Sequence, residues 1–159
     1  MGIGQLKSFI TIYHTKYKIL ILLLALMLIV NNVFGCSSAA PIYTIDELPI
    51  PTIGYYLTDG VGMTLYYTTI DNAGKSNIDD SELDDWPIFY AANIVVPPTL
   101  KRSDFSMIKR PDGKLQTTYK GWPLYYYEKD DEPSDTIGQG VGGVWFLAGP
   151  NIPQATPIH

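Results

Sequence analysis

The sequence repeats one pattern, GMTLYYTTID at residues 62–71 and GWPLYYYEKD at residues 121–130. Gly, Leu, two adjacent Tyr and the final Asp coincide between the two copies at a constant offset, so that Gly62 corresponds to Gly121 and Asp71 to Asp130. Each final Asp is followed at the same distance by a tryptophan, Trp86 in the first copy and Trp145 in the second. A gapless match over this many positions predicts a duplicated structural unit.

Apolar and aromatic residues alternate in short runs that are bounded by turn-forming residues, and this alternation is typical of β-strands. Residues 55–67 predict a strand, an Asp-Gly turn and a second strand. Residues 108–119 predict a similar hairpin around a Pro-Asp-Gly turn, and further strands are predicted at residues 88–96, 123–129 and 144–148. We therefore expect a mainly β domain, a compact antiparallel sandwich or barrel built from two pseudo-repeats of hairpins.

Helical signals are scarce beyond the N-terminus. Only SELDDW, residues 81–86, predicts a short helical turn, with Ser81 as its N-cap. After Cys36 no segment keeps a 3.6-residue apolar period. The fold is thus expected to contain at most one short helical turn after an N-terminal signal helix.

The first 36 residues predict an export signal. Three lysines precede an uncharged run of 12 residues, ILILLLALMLIV at 19–30, and this run is shorter than the roughly 20 residues of a membrane-spanning helix. VFGC at 33–36 resembles a lipobox, so we expect Cys36 to be lipidated and to anchor the mature chain in the membrane. A retained signal-anchor helix is the alternative. Both interpretations place the remaining chain at the extracellular face of the cell membrane.

These signals divide the chain into four parts. We expect a signal peptide at 1–36, a flexible linker at 37–53, a two-repeat β domain at 54–150 and a loose tail at 151–159. Within the domain, the first repeat is expected at about 54–100 and the second at about 105–150.

The exported part lacks the side chains that much catalytic chemistry requires. After Cys36 the sequence has no further cysteine, and its only histidine is His159. Zinc, copper, c-type haem and histidine-based triads depend on these residue types, so we expect no metal site, no cofactor and no disulfide. The 16 acidic and 8 basic residues after Cys36 give a net charge of −8, which argues against a nucleic-acid partner.

A glycine run, GQGVGG at 138–143, fits the dinucleotide-binding pattern G-x-G-x-x-G. That pattern binds a pyrophosphate where it follows a strand and begins a helix. Here an acidic loop precedes the run and the apolar segment VWFL follows it. We therefore expect no nucleotide, and we interpret the glycines as a place where the backbone closely approaches the neighbouring repeat.

With these residues in view, the chain resembles the family described as a secreted repeat of unknown function, predicted lipoproteins marked by a Y-x-[FWY]-x-x-D motif. The second copy matches the motif in full, and the first copy lacks only its middle aromatic residue, which is Thr68. The matching residues are Tyr125, Tyr127 and Asp130 in the second copy and Tyr66 and Asp71 in the first. The resemblance implies an exported protein without an assigned activity.

The motif residues have two interpretations. In the first, the carboxylates of Asp71 and Asp130 accept backbone N–H bonds at the strand ends and share a tyrosine hydroxyl, so that the motif is architectural. In the second, surplus aromatic rings, with Trp122 and Tyr127 as the main candidates, form a surface platform on which sugar rings or aromatic partners stack.

Two acidic clusters, at 79–85 and 130–135, suggest either a calcium site or a solvated acidic surface. Taken together, these features favour a non-catalytic structural or binding role, with a surface glycan or a protein as partner. Two alternatives remain open. One is an extracellular accessory of electron transfer or cell-wall processing, and the other is a small hydrolase that uses two carboxylates.

Overall fold

The computed structural model describes residues 42–156, which form a mainly β domain with antiparallel strand pairs, and this confirms the predicted fold class. The helical segments among residues 42–156 are short 3-10 turns. The strands are β1 (Ile45–Ile50), β2 (Gly54–Asp59), β3 (Tyr66–Thr68), β4 (Phe105–Lys109), β5 (Leu115–Tyr119), β6 (Trp122–Pro123) and β7 (Trp145–Leu147), and the 3-10 turns are Arg102–Asp104 and Val141–Gly143.

The strands form three small sheets. Strand β1 pairs with β2, β3 pairs with β7, and β5 lies between β4 and β6. The two copies of the motif meet backbone to backbone at Tyr66 and Tyr125, where the amide N of each residue donates to the carbonyl O of the other, at 2.8 and 3.0 Å. The two motif tyrosines are therefore adjacent in space although they are far apart in the chain.

The β1–β2 and β4–β5 hairpins are the same unit in the two repeats. Ile45 pairs with Asp59 in the first hairpin and Phe105 with Tyr119 in the second, so Ile45 corresponds to Phe105 and Asp59 to Tyr119. The first repeat thus begins at Ile45, whereas we expected residues 37–53 to be a flexible linker. Ile45 is fully buried, and this burial ties β1 to the domain.

The turn after each hairpin differs in length between the repeats. The first repeat crosses from Asp59 to Met63 through three residues, and the second crosses from Tyr119 to Trp122 through Lys120 and Gly121. Lys120 and Gly121 have φ of 48° and 84°, as a two-residue type I′ hairpin turn requires. The turn of the second repeat is therefore one residue shorter. For this reason, equivalent residues of the two repeats are one position closer in the sequence in the motif than in the preceding hairpin.

Each repeat ends in a segment that packs on the hairpin of the other repeat. Leu57 N donates to Ala148 O, Ala148 N to Leu65 O and Leu65 N to Leu57 O, at 2.7–2.9 Å. The same triangle of backbone bonds recurs in the second hairpin among Thr117, Phe89 and Leu124. The residues that follow Trp145 thus complete the first hairpin, and those that follow Trp86 complete the second.

The core consists of two apolar clusters. The first joins both hairpins through buried residues from Ile45 to Ala148. The second is aromatic and centres on Trp86 and Trp145, whose rings stack in parallel, with centroids 3.7 Å apart and an interplanar angle of 3°. Since one tryptophan comes from each repeat, the stack lies between the two copies. Aromatic burial of this kind contributes much of the stability of a small domain without disulfides.

Two further expectations need correction. Residues 151–156, expected as part of a loose tail, are held to the domain at Ala155, which is buried and whose N–H donates to Lys120 O, although most of the other residues of this segment are exposed. The segment 81–86 forms a hydrogen-bonded turn that Asp79 caps, because Asp79 Oδ1 accepts from both the N–H and the hydroxyl of Ser81. The signal segment, Cys36 and His159 lie outside the described residues. Within residues 42–156, no helix has the length and apolar character to cross a membrane.

Candidate functional site

The motif residues form two hydrogen-bonded pairs that cross between the repeats. In the first pair, Tyr66 Oη donates to Asp130 Oδ2 at 2.7 Å. The other carboxylate oxygen, Asp130 Oδ1, accepts from the N–H of Ile137 at 2.9 Å. The Tyr66 hydroxyl oxygen also accepts from the N–H of Gly138 at 3.2 Å. The tyrosine of the first copy is thus bound by the aspartate and the following loop of the second.

The second pair reverses the direction. Tyr125 Oη donates to Asp71 Oδ2 at 2.8 Å, and Asp71 Oδ1 accepts from the N–H of Asn77 at 2.6 Å. Here a side chain takes the place of the Gly138 amide, because Ser76 Oγ lies 2.6 Å from Tyr125 Oη. Arg110 in turn donates to Ser76 Oγ. The result is a buried chain of hydroxyls that links a carboxylate to a guanidinium.

Arg110 fastens the loop that follows Asp71 to the second hairpin. Its guanidinium donates to Gln116 Oε1 at 3.1 Å and to the carbonyl O of Ile78 at 2.8 Å, in addition to Ser76. Its Nε has no hydrogen-bond partner among the described residues, and its nearest anion is Asp112 Oδ2 at 3.6 Å. We did not predict Arg110 or Gln116 from the sequence, because both lie in a segment that indicates only a hairpin.

Burial determines the protonation of both pairs. It raises the pKa of Asp71 to about 6, although hydrogen bonds from Asn77 and Tyr125 oppose the shift. It raises the pKa of Asp130 as well. It also raises the pKa of Tyr66 and of Tyr125, so these hydroxyls remain protonated donors at neutral pH.

The glycine run reaches the first pair through Gly138. A Cβ at Gly138 would lie 2.9 Å from the Tyr66 ring and 3.0 Å from Trp86. Both of these rings belong to the first repeat, so Gly138 makes the predicted close approach of backbone to the neighbouring repeat. Gly140 and Gly143 do not, because an added Cβ there would meet nothing within 4 Å. The structure has only the three-residue 3-10 turn Val141–Gly143 in this region.

Comparison with known proteins finds a family match within the second repeat. Residues 106–148 match the model of a family described as a secreted repeat of unknown function. The match confirms the resemblance predicted from the sequence, and it contains Tyr125, Tyr127 and Asp130. It is also consistent with an exported protein. No curated protein and no solved structure matches the chain.

The crossed pairs are inaccessible to a substrate. Tyr66 and Tyr125 are fully buried, and Asp71 and Asp130 are 2% and 6% exposed. Every hydroxyl and carboxylate oxygen of these four side chains already has a partner from the protein. This arrangement holds the two copies together, and it offers neither a free nucleophile nor a free base.

The two rings expected to form a platform lie in different environments. Tyr127 stacks on Trp86 at a centroid distance of 4.3 Å and thereby extends the aromatic core. Trp122 instead packs against Tyr67 at 5.2 Å, and its Nε1 donates to Pro153 O at 3.0 Å. Sequence alternation separates Tyr67 from the buried Tyr66, but it does not show which ring Tyr67 contacts.

An open groove of about 240 Å³ lies beside Tyr67. Its apolar lining combines three aromatic side chains, those of Tyr55, Tyr67 and Phe146, with aliphatic ones from Ile53, Leu147, Ile152 and Pro153. Gln139 and Asn151 contribute amides. No charged side chain is among the described residues that line this groove.

A larger pocket of about 470 Å³ lies between residues 76–80 and 110–112. Arg110 and three aspartates, Asp79, Asp80 and Asp112, contribute its charges. The Arg110 guanidinium binds the protein itself. Across residues 42–156, no group of three or more His, Cys, Asp or Glu side chains is placed to hold a metal ion. The calcium hypothesis for the acidic clusters therefore has no ligand set in this range.

Proposed function

We propose that the protein is a lipid-anchored cell-surface protein with a non-catalytic structural or binding role. The observation that carries this proposal is the crossed pairing, because Tyr66, Tyr125, Asp71 and Asp130 are buried and hydrogen-bonded to one another across the repeats. The motif that marks the secreted repeat therefore supports the architecture, and it leaves no reactive group exposed.

The anchor rests on the sequence around Cys36. The match to a secreted repeat supports export, and the only cysteine of the chain directly follows a short apolar segment and a glycine. Lipidation would form a thioether at the Cys36 thiol, and hydrolysis of the Gly35–Cys36 peptide bond by a signal peptidase would then release the signal segment and leave Cys36 as the first residue of the mature chain. The described domain would then stand on a tether of only a few residues, since β1 begins at Ile45.

Labelling of the producing cells with a radioactive fatty acid tests the anchor. We expect the wild-type chain to carry the label, to fractionate with membranes and to react with a membrane-impermeant biotin reagent on intact cells. Cys36→Ser should lose the label, and the matched control Ser37→Ala should keep it. If the wild-type chain is unlabelled and has the mass of the unprocessed sequence, the lipid anchor is contradicted and the signal-anchor helix is favoured instead. Absence of surface biotinylation would contradict export itself.

A further inference from the structure

The groove beside Tyr67 is the part of the described surface that is built most like a ligand site. Its rings are continuous with one another: Tyr67 lies 5.2 Å from Trp122 and 6.1 Å from Phe146, between ring centroids. All three side chains are partly exposed, and Tyr55, which also lines the groove, is 51% exposed. Neighbouring rings of this row are tilted by 39–50° relative to one another.

Polar groups stand at the edge of this row. Gln139 Oε1 accepts from the N–H of Leu147 at 2.7 Å, which fixes the amide of Gln139 in place. Its Nε2 makes no hydrogen bond to the described residues, and neither does the side chain of Asn151. A site of this kind, apolar with a few convergent neutral polar groups, is typical of small-molecule recognition.

The absence of charge in the described groove restricts the ligand. The exported part has a net charge of −8, which disfavours an anionic polymer. An anion also needs a cation or a cluster of free N–H groups, and the described lining has neither a lysine nor an arginine. A neutral ligand with one flat apolar face and hydroxyl groups at its rim matches these rings and the two amides beside them.

We propose that this groove binds a neutral sugar ring of an extracellular polysaccharide. One face of a pyranose presents C–H groups that stack on aromatic rings, and its equatorial hydroxyls reach the amides of Gln139 and Asn151. The groove's volume of about 240 Å³ lies below the 300–1,000 Å³ of enclosed pockets. It therefore contacts one face of the sugar while the polymer continues into solvent. This inference rests on the binding role proposed above and names its ligand.

Isothermal titration calorimetry of the full chain tests the proposal. The chain is kept in a detergent without a sugar headgroup and titrated with cellohexaose, xylohexaose, mannohexaose and the hexamer of N-acetylglucosamine. We expect saturable binding of at least one hexasaccharide and a change in tryptophan fluorescence, since Trp122 contacts Tyr67. Tyr55→Ala and Phe146→Ala should each weaken binding about tenfold, and Asn151→Ala should weaken it about threefold.

Tyr90→Ala is the matched control, because Tyr90 is 43% exposed and lies outside the groove lining. It should leave the affinity unchanged. Tyr55 and Asn151 are exposed, so their variants keep the fold, which an unchanged melting temperature verifies.

The outcomes separate this inference from the proposed function. The sugar site would be overturned if the folded wild-type chain bound none of the four hexasaccharides at millimolar concentration. It would also be overturned if Tyr55→Ala and Phe146→Ala left the binding intact. Binding of an apolar peptide to the same rings in place of the sugars would also overturn it. Mass spectrometry of the titrated sugars reports on the proposed function instead: shortened oligosaccharides would show catalysis while the groove assignment stands.

Discussion

The two tyrosine–aspartate pairs have the same geometry but different neighbours. The Tyr66 hydroxyl accepts a hydrogen bond from the Gly138 N–H, so its own proton can go only to Asp130. The Tyr125 hydroxyl faces Ser76 Oγ, and a hydroxyl both donates and accepts. Identical motif residues are therefore held in different ways, by a rigid backbone donor in one pair and by an adjustable side-chain network in the other.

The loops that follow the two aspartates also differ, in how closely they pack against the partner repeat. Asn77 and Ile137 donate equivalent N–H bonds to Asp71 and Asp130. The next residue is the buried Ile78 in the first repeat and Gly138 in the second. One loop has room for a branched side chain, whereas the other lies against the rings of Tyr66 and Trp86 in the partner repeat.

Of the substitutions that test this difference between the loops, Gly138→Ala should reduce stability most. The new Cβ would lie 2.9 Å from the Tyr66 ring and 3.0 Å from Trp86. Because both rings are buried in the aromatic cluster, we expect a loss of about 3 kcal/mol in the free energy of unfolding. Urea denaturation measures it.

Gly74→Ala is the control for Gly138→Ala. At Gly74 nothing lies within 4 Å of an added Cβ, but φ is +69°, so Ala there should lose only about 1–2 kcal/mol. A Gly138→Ala variant as stable as the Gly74→Ala variant would mean that the loop has more room than its contacts indicate.

The second prediction concerns the pH dependence that Asp71 imposes. Its pKa is about 6 in the folded protein and 3.8 in a model peptide, so between these values the folded state holds a proton that the unfolded state has lost. Stability must therefore fall as the pH rises from about 4 to about 6, by roughly 3 kcal/mol in total. The contribution of Asp71 to this slope fades within about one pH unit below 4 and above 6.

Asp71→Asn isolates this contribution, because the amide does not titrate. Urea unfolding is measured for both proteins at pH 4, 5, 6 and 7. The free energy of unfolding of the variant should lie furthest below that of wild type at pH 4, and the difference should be smallest at pH 7. The pKa of Asp130 is shifted in the same direction, so a slope of the same sign should remain in the variant. Parallel curves for the two proteins would refute the raised pKa of Asp71.

The sequence predicted local elements better than their partners. The duplication located the motif residues, because the repeated pattern is encoded within short stretches of the chain. Strand β1 was missed, since IDELPI contains two acidic residues and a proline, which lower strand propensity. Proline is tolerated there because β1 lies at the edge of its sheet.

The crossing of the pairs could not be predicted, because a repeat period contains no information on which copy a segment packs against. A hydroxyl of Tyr66 bound to Asp71 would satisfy the same local pattern as one bound to Asp130. Arg110 was missed for a similar reason, since its partners Ser76 and Ile78 belong to the other repeat. Those contacts exist only after the two repeats have assembled.

The third prediction compares Asp130→Asn with Asp71→Asn at pH 7. Asn at position 71 can accept from the N–H of Asn77 through Oδ1 and donate its amide to Tyr125. The Tyr125 proton then turns to Ser76 Oγ, in exchange for the long bond of 3.3 Å that the Ile78 N–H donates to this oxygen. Asn at position 130 would direct the same amide at Tyr66, whose oxygen already accepts from Gly138. The proton of Tyr66 would then have no acceptor, and we expect Asp130→Asn to cost about 2 kcal/mol more than Asp71→Asn.

A double substitution tests that explanation against a general intolerance of position 130. Tyr66→Phe removes the stranded hydroxyl, so Tyr66→Phe combined with Asp130→Asn should be more stable than the sum of the two single losses requires. Tyr125→Phe combined with Asp71→Asn should give a smaller recovery, because that hydroxyl can still find an acceptor in Ser76 Oγ at the expense of only the 3.3 Å bond from the Ile78 N–H. Equal coupling energies for the two pairs, measured by urea denaturation, would contradict the distinction. In that case the Gly138 N–H would not determine which way the Tyr66 proton points.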